Sequence, residues 1–177
     1  IRFPRPRGSP PGEQDLDFGQ TFARCPYMTS YSFTPDIVAC RLAASSKKQL
    51  LQHVGSLAAN HAGLCERAVL GAIMGREKLG STGVGKGFAL PHAILEGAKD
   101  LVTLLATLDT PVDFDAPDNV AVDTVVLVLG AKHDSNEYLA AINMASKVLN
   151  QRGDALRVAS SEADIRSILS EALTAAA

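Results

Sequence analysis

The sequence predicts a single α/β domain in which a mixed β-sheet is covered by helices. Apolar residues recur at helical spacing in both halves of the chain, and aliphatic segments lie between them. One of these segments, 122–129, is an unbroken, largely β-branched run, which is typical of a central strand that is buried on both faces. At 177 residues the chain is long enough for one sizeable core, and no repeat indicates a second domain.

Composition argues against several classes of function. The hydrophobic fraction of 46% and the charged fraction of 20% are those of a globular protein. A net charge of −2 gives no reason to expect nucleic acid or a membrane surface as a partner. The longest apolar run, 124–131, is far below the roughly 20 residues that span a bilayer. Cys25, Cys40 and Cys65 lack metal-ligand spacing, so we expect reduced thiols in a cytoplasmic protein with no metal or other cofactor.

Residues 1–27 differ from the rest of the chain. They contain five of the nine prolines, mixed with arginine and glycine, and they show neither helical nor alternating periodicity. Such a segment cannot bury enough apolar surface to offset its ordering entropy. We therefore expect a disordered leader, or a segment introduced by cloning, followed by one domain over 28–177 that starts naturally at Met28.

The first half of the chain predicts one strand and two helices. The segment 37–42 is a plausible strand, and Ser45 or Ser46 can cap a helix that ends near Gly63. A second helix is predicted from about 66 to 78, with Gly80 as its C-terminal cap. The predicted inner faces are Leu50, Leu51, Val54, Leu57 and Ala58 in the first helix and Val69, Leu70, Ile73 and Met74 in the second.

The second half predicts three strands and three helices. The predicted strands are 87–90, 101–108 and 122–129, with a proline-containing turn over 111–119. The predicted helices are 135–149, 153–159 and 161–173, the first capped by Ser135 and the last by the pair Ser161 and Asp164. Leu139, Ile142, Ala145, Val148 and Leu149 form the predicted inner face of the first of these helices.

The stretch from Arg76 to His92, REKLGSTGVGKGFALPH, carries the candidate chemistry. Its glycines free the backbone so that main-chain N–H groups can surround an anion, with hydroxyl groups beside them. Arginine suits the same task because its planar, permanently charged fork grips two oxygens. The predicted phosphate-binding residues are Ser81, Thr82, Gly83, Gly85, Lys86 and Gly87.

A nucleotide site is the first alternative, because 80–86 fits the first seven positions of the phosphate-binding loop G-x-x-x-x-G-K-S/T. That loop requires a strand before it, a hydroxyl residue after the lysine and a helix beginning there. Here the preceding segment is predicted to be helical, Gly87 follows Lys86, and Pro91 interrupts any helix. All three requirements fail, which argues against nucleotide hydrolysis.

His92 is the second candidate centre. A neutral imidazole can attack a phosphoryl group and hold it as a phosphoramidate for onward transfer. Such a transfer requires mainly positioning and donors around the phosphoryl oxygens. From residue type alone, a structural histidine at the end of a strand is the stronger interpretation.

The motif as a whole favours a phosphoryl acceptor over a structural histidine. The run R-E-x-x-G-S-T-G-V-G-x-G-x-A-L-P-H, from Arg76 to His92, closely resembles the phosphorylation-site signature of phosphotransferase-system IIA components of the mannitol/fructose class, especially their nitrogen-regulatory branch. The resemblance extends over about 36–173. It implies an α/β sandwich with a mixed central sheet flanked by helices. It also implies that His92 accepts phosphate from a histidine phosphocarrier protein, with assistance from Arg76 and the glycine-rich loop.

Two positions depart from the family pattern. The family usually has a second active-site histidine where this chain has Tyr138, which can donate a hydrogen bond but cannot carry positive charge. His133, nearby in a predicted loop, either compensates or is simply solvated. Lys86 stands where the family commonly has an uncharged polar residue, and it either adds positive charge beside the phosphate or is solvated as well. His53 and His61 have no metal-spaced partner and are expected to be structural or surface residues.

The resemblance implies a phosphocarrier whose phosphorylation state controls regulatory target proteins rather than sugar uptake. Two alternatives stay open. One is a regulatory binding module in which phosphotransfer has weakened or been lost, which the tyrosine at position 138 keeps possible. The other is a sugar-specific IIA subunit made as a separate chain.

Overall fold

A computed structural model describes residues 33–132 and 135–174. The predicted leader, 1–27, and His133 lie outside these residues. The strands in this part of the chain are β1 (Ile37–Leu42), β2 (Gly83–Gly85), β3 (Phe88–Ala89), β4 (His92–Leu95), β5 (Val102–Val112) and β6 (Val122–Ala131). The helices are α1 (Lys47–Ala62), α2 (Glu66–Glu77), α3 (Ser135–Val158) and α4 (Glu162–Thr174). Over the described ranges, no helix combines the length and the apolar character needed to cross a membrane.

The six strands form one mixed sheet around β6. Strand β6 pairs antiparallel with β5 on one side, and β5 pairs parallel with β1. On its other side β6 pairs parallel with both β3 and β4, and β2 pairs antiparallel with β3 at the edge. The prediction that 122–129 is the central strand of a mixed sheet is confirmed.

Helices cover both faces of this sheet. Val125, Leu127 and Leu129 of β6 pack with α1 and α2, whereas the alternating residues Val126 and Val128 pack with α3 and α4. All five side chains are fully buried. Strand β6 is therefore apolar at every position from Val125 to Leu129, because each of its faces meets a helical layer there.

Local capping defines the helices around the site. The Ser46 hydroxyl accepts a hydrogen bond from the Gln49 backbone N–H at the start of α1, and Gly63 ends that helix in the left-handed conformation. Helix α2 ends at Glu77 and its C-cap is Lys78, whose backbone is right-handed, so the prediction that Gly80 caps it is wrong. At the start of α4 the Ser161 hydroxyl accepts from the Asp164 N–H, which confirms the predicted capping pair.

Two predicted boundaries around the sheet are wrong. The glycine-rich segment forms the hairpin β2–β3 instead of a loop; the predicted strand 87–90 is present as β3, and His92, which follows it, begins the further strand β4. Strand β5 continues through Pro111 to Val112, where a turn was expected. Its pairing with β6 is irregular between Thr107 and Val112, and such irregularities accommodate a proline that has no N–H to donate.

Helix α3 also corrects a prediction, because it runs unbroken through Gly153 where the sequence indicates two helices. The ring of Phe88 in β3 lies against Gly153, and a Cβ atom built on Gly153 would lie 2.0 Å from Cζ of that ring. The glycine is thus required by a tertiary contact and does not mark a helix end.

Replacing Gly153 by alanine is expected to destabilise the protein by about 1–3 kcal/mol, because the added methyl group forces Phe88 out of its position. The matched control is Gly71→Ala in α2, where an added Cβ meets nothing within 4 Å. That variant should be neutral or up to about 1 kcal/mol more stable, since alanine favours helix. Urea unfolding measures both changes, and equal stabilities for the two variants would refute the packing argument.

Candidate functional site

His92 lies at the start of β4, directly after Pro91. Strand β4 is held against β6, with His92 opposite Val128, and the Val128 N–H donates to the Pro91 carbonyl over 3.0 Å. The imidazole Nδ1 lies 2.8 Å from the Leu90 carbonyl oxygen. A carbonyl only accepts hydrogen bonds, so Nδ1 must carry the proton.

Arg76, in the last turn of α2, contacts the other nitrogen of the same ring. Its Nε donates to His92 Nε2 over 3.0 Å, and its Nη1 donates to the Gly80 carbonyl over 3.1 Å. Since guanidinium is a donor only, Nε2 must present its lone pair. The two contacts together select the neutral imidazole that is protonated on Nδ1 and nucleophilic at Nε2.

Tyr138 lies beside this pair, as the resemblance implies. Its ring centroid is 6.3 Å from that of His92, with the two planes tilted by 57°. The ring packs over Gly130, where an added Cβ would come within 2.4 Å of it. Burial raises the pKa of the Tyr138 hydroxyl, only partly countered by the charge of Arg76, so the group remains a neutral donor.

The hydroxyls of Ser81 and Thr82 make structural contacts. Ser81 Oγ donates to the Phe114 carbonyl over 2.8 Å and accepts from the Gly83 N–H. The Thr82 hydroxyl donates to the carboxylate of Glu77, and its backbone N–H donates to the same group over 3.0 Å. Both hydroxyl protons are therefore engaged within the protein, and phosphate binding by either residue stays a prediction.

The hairpin requires glycine at three positions, one for lack of space and two for backbone conformation. A Cβ on Gly83 would lie 2.9 Å from that of Ala116, which explains the lack of a side chain there. Gly85 and Gly87 adopt positive φ values of 87° and 81° at the tip of the hairpin, where non-glycine residues are strained.

Lys86, between these two glycines, faces an internal anion. Its backbone N–H donates to Asp118 Oδ2 over 2.6 Å, and its carbonyl accepts from Arg157. Arg157 in turn pairs with Asp123 over 2.7 Å. One N–H of the segment that is predicted to bind phosphate is thus engaged by a carboxylate of the protein, and phosphate binding by Gly83, Gly85, Lys86 and Gly87 stays a prediction.

The hairpin tip is also distant from the imidazole. The Gly87 carbonyl accepts from the Asp123 N–H, whereas His92 lies opposite Val128 on the same strand. Five residues along a strand correspond to about 16 Å. The structure thus brings Arg76 and Tyr138 to His92 and leaves Gly85, Lys86 and Gly87 at the far end of the hairpin.

Sequence reasoning assigned no role to Glu77, which is a buried carboxylate at the end of α2. Lys47 Nζ lies 2.8 Å from its Oε1 and 3.1 Å from Asp115 Oδ2. Burial acts to raise the pKa of Glu77, but the hydrogen bonds from Lys47 and Thr82 outweigh it and hold the pKa below its usual range. An acidic residue within the motif could have been suspected of a role from the sequence, but its partner Lys47 comes from a distant segment.

A mixed sheet between two helical layers, with an edge-strand histidine held by an arginine, defines a IIA-type domain. The chain belongs to the family described as "Phosphoenolpyruvate-dependent sugar phosphotransferase system, EIIA 2", whose model matches residues 32–172. The resemblance seen in the sequence is confirmed.

Individual relatives agree. The chain is 36% identical to a nitrogen regulatory protein of Bradyrhizobium diazoefficiens over 127 aligned residues. These residues make up 72% of this chain and 83% of that protein. The structure of nitrogen regulatory protein IIA-Ntr from Neisseria meningitidis superposes with a TM-score of 0.69 at 32% identity, over 75% of this chain and 92% of that one. IIA mannitol from Escherichia coli shares the fold, with a TM-score of 0.64 at 18% identity over 75% and 94% of the two chains.

The Glu77 network predicts a loss of stability in acid. Its carboxyl has a lower pKa in the folded protein than the ordinary value of 4.5, so the unfolded chain binds more protons as the pH falls through that range. The stabilisation is present above about pH 4.5 and is lost progressively below it. Unfolding free energies between about pH 5 and pH 3 should fall less steeply for Glu77→Gln than for the unmodified protein.

The matched control is Glu66→Gln, an exposed glutamate at the opposite end of α2. Its pH profile should run parallel to that of the unmodified protein. An equally steep decline in Glu77→Gln would show that this carboxylate does not account for the acid sensitivity.

Proposed function

We propose that this chain is a phosphocarrier of the phosphoenolpyruvate-dependent phosphotransferase system that accepts a phosphoryl group on Nε2 of His92 from a histidine phosphocarrier protein. One observation supports the proposal above all others. The contacts of Leu90 and Arg76 leave the nucleophilic lone pair on Nε2 and place a guanidinium group beside it. A structural histidine needs no arginine at its acceptor nitrogen.

The proposed transfer needs no cofactor, because the N–P bond that forms on His92 replaces the one that breaks on the donor. The Nε2 lone pair attacks phosphorus, the N–P bond of the donor phosphohistidine breaks, and its electron pair returns to the donor ring. The donor leaves as a neutral imidazole if its second nitrogen is protonated, and His92 takes up the positive charge. The Leu90 carbonyl stabilises that charge at Nδ1, and Arg76 exchanges its contact with Nε2 for the phosphoryl oxygens.

We further propose a regulatory role in the cytoplasm, in which phosphorylated and unphosphorylated forms act differently on target proteins. Support comes from the nitrogen regulatory proteins among the relatives, which cover most of the domain. Tyr138 favours a second candidate, a regulatory binding module with weakened phosphotransfer, because its buried, neutral hydroxyl supplies no charge at the site. A sugar-specific IIA subunit is the remaining alternative.

Incubation with a phosphorylated histidine phosphocarrier should label the protein with phosphate that is labile in acid and stable in base. His92→Gln should abolish the label, because an amide cannot act as the nucleophile. His53→Gln is the matched control and should retain full labelling, since that side chain contacts the Ala43 carbonyl in another part of the fold. Quantitative mass spectrometry under alkaline conditions measures the fraction of protein that is phosphorylated.

An unlabelled protein, with carriers from its own source, would contradict the proposal and favour the binding module. Equal labelling of His92→Gln and the unmodified protein would place the phosphoryl group elsewhere.

Tyr138→His is expected to raise the rate of transfer by about tenfold or more, because an imidazole beside His92 can carry charge and move a proton. Rapid-quench measurement of single-turnover transfer gives the rate, and urea unfolding confirms that the smaller ring leaves the fold intact. Tyr138→Phe is the control, because it keeps the packing over Gly130 and removes only the hydroxyl. An unchanged or lower rate in folded Tyr138→His would show that the position no longer serves the chemistry.

A further inference from the structure

Glu77 differs from the other acidic residues of the described chain in its burial and in the hydrogen bonds that its carboxylate accepts. Its side chain is only 7% exposed, and it receives hydrogen bonds from the backbone N–H and the hydroxyl of Thr82 and from Lys47. The carboxylate therefore joins α1, the end of α2 and the start of the glycine hairpin at one point.

The hydrogen bonds continue from Thr82 to the imidazole. The Thr82 carbonyl accepts from the Leu90 N–H over 2.9 Å, and the Leu90 carbonyl accepts from His92 Nδ1 over 2.8 Å. Each group in this series is fixed by the one before it, beginning with the buried carboxylate. The adjacent residue, Arg76, contacts the opposite nitrogen of the ring directly.

We propose that Glu77 is a positioning residue that sets the tautomer of His92, by holding Thr82 and through it the Leu90 carbonyl that accepts the hydrogen bond from Nδ1–H. Two consecutive residues of α2 then control both nitrogens of one imidazole: Arg76 at Nε2 and Glu77, indirectly, at Nδ1. The significance for phosphotransfer rests on the function proposed above, whereas the tautomer is a property of the free protein.

Loss of this carboxylate has a specific consequence. The Thr82 N–H and hydroxyl lie in a buried environment, and without an acceptor they must find another partner by moving. The Leu90 N–H then loses its fixed acceptor, and the carbonyl beyond it is no longer held against Nδ1. The Nε2–H form, which has no nucleophilic lone pair on Nε2, then becomes more populated, opposed by the Arg76 contact alone.

Long-range ¹H–¹⁵N NMR of the histidine rings tests this directly at about pH 8.5, roughly two units above the ordinary pKa of imidazole. In the unmodified protein the Nδ1–H form of His92 should predominate. Glu77→Met, which removes every acceptor, should lower the ratio of Nδ1–H to Nε2–H by roughly fivefold, as expected for one weakened hydrogen bond. Glu77→Gln retains one acceptor oxygen and should give an intermediate ratio.

Asp118→Met is the matched control. Asp118 also accepts a backbone N–H of the same hairpin, from Lys86 over 2.6 Å, but at the end that is distant from His92. In this variant the ratio of Nδ1–H to Nε2–H at His92 should equal that of the unmodified protein. An unchanged ratio in a folded Glu77 variant would overturn the proposal, as would an equal change in Asp118→Met. If Glu77→Met does not fold, the ratio measured in Glu77→Gln decides in the same way.

Kinetics provide the second measurement. A smaller population of the reactive tautomer should lower kcat for phosphoryl transfer by the factor by which the measured Nδ1–H fraction falls, with little change in KM for the carrier. If the unmodified protein accepts no phosphate, the proposed function fails while the tautomer measurement still decides the role of Glu77. If transfer proceeds and the Glu77 variants keep both tautomer and kcat, the positioning role alone fails.

Discussion

The structure of the site depends on the pair of hydrogen bonds that hold one imidazole. The Leu90 carbonyl accepts a hydrogen bond from Nδ1–H, and Arg76 Nε donates to Nε2, so the ring is held with its proton on Nδ1 and its lone pair directed at the guanidinium group. Each bond alone would orient the ring, but together they also choose its tautomer. A phosphoryl acceptor requires that choice, and a histidine that only fills space does not.

The fold supplies the rigidity that these bonds need. Strand β6 is buried on both faces and pairs with β4, which fixes the backbone of His92 opposite Val128. Helix α2 packs against the same sheet and ends where Arg76 reaches the ring. On the opposite face, α3 brings Tyr138 over Gly130 and beside the imidazole. The site is thus assembled from the central sheet and from one helix of each covering layer.

Features governed by local rules could be predicted from the sequence. Strand β6 follows from its unbroken apolar run, and the ends of α1 follow from the Ser46 and Gly63 caps. Features that depend on distant contacts could not. Gly153 indicates a helix end until Phe88 is seen to occupy the space beside it.

The same limit applies to the site. The motif singles out His92 and Arg76 and the family pattern singles out Tyr138, because these residues are recognisable by type and position, and the structure places the three side chains together. The glycine hairpin predicts N–H donors for an external anion, and that the Lys86 N–H meets Asp118, far along the chain, is seen only in the folded structure. Glu77 lay within the motif, yet its role depends on Lys47 and on the path through Thr82, which only the folded structure brings together.

The identity of the phosphorylated nitrogen tests the account most directly. In protein labelled with ¹⁵N in its histidine rings and phosphorylated by a carrier, coupling to ³¹P should appear at Nε2 of His92, while Nδ1 keeps its proton. Coupling at Nδ1 would contradict the account, because that nitrogen faces the Leu90 carbonyl and has no lone pair to offer.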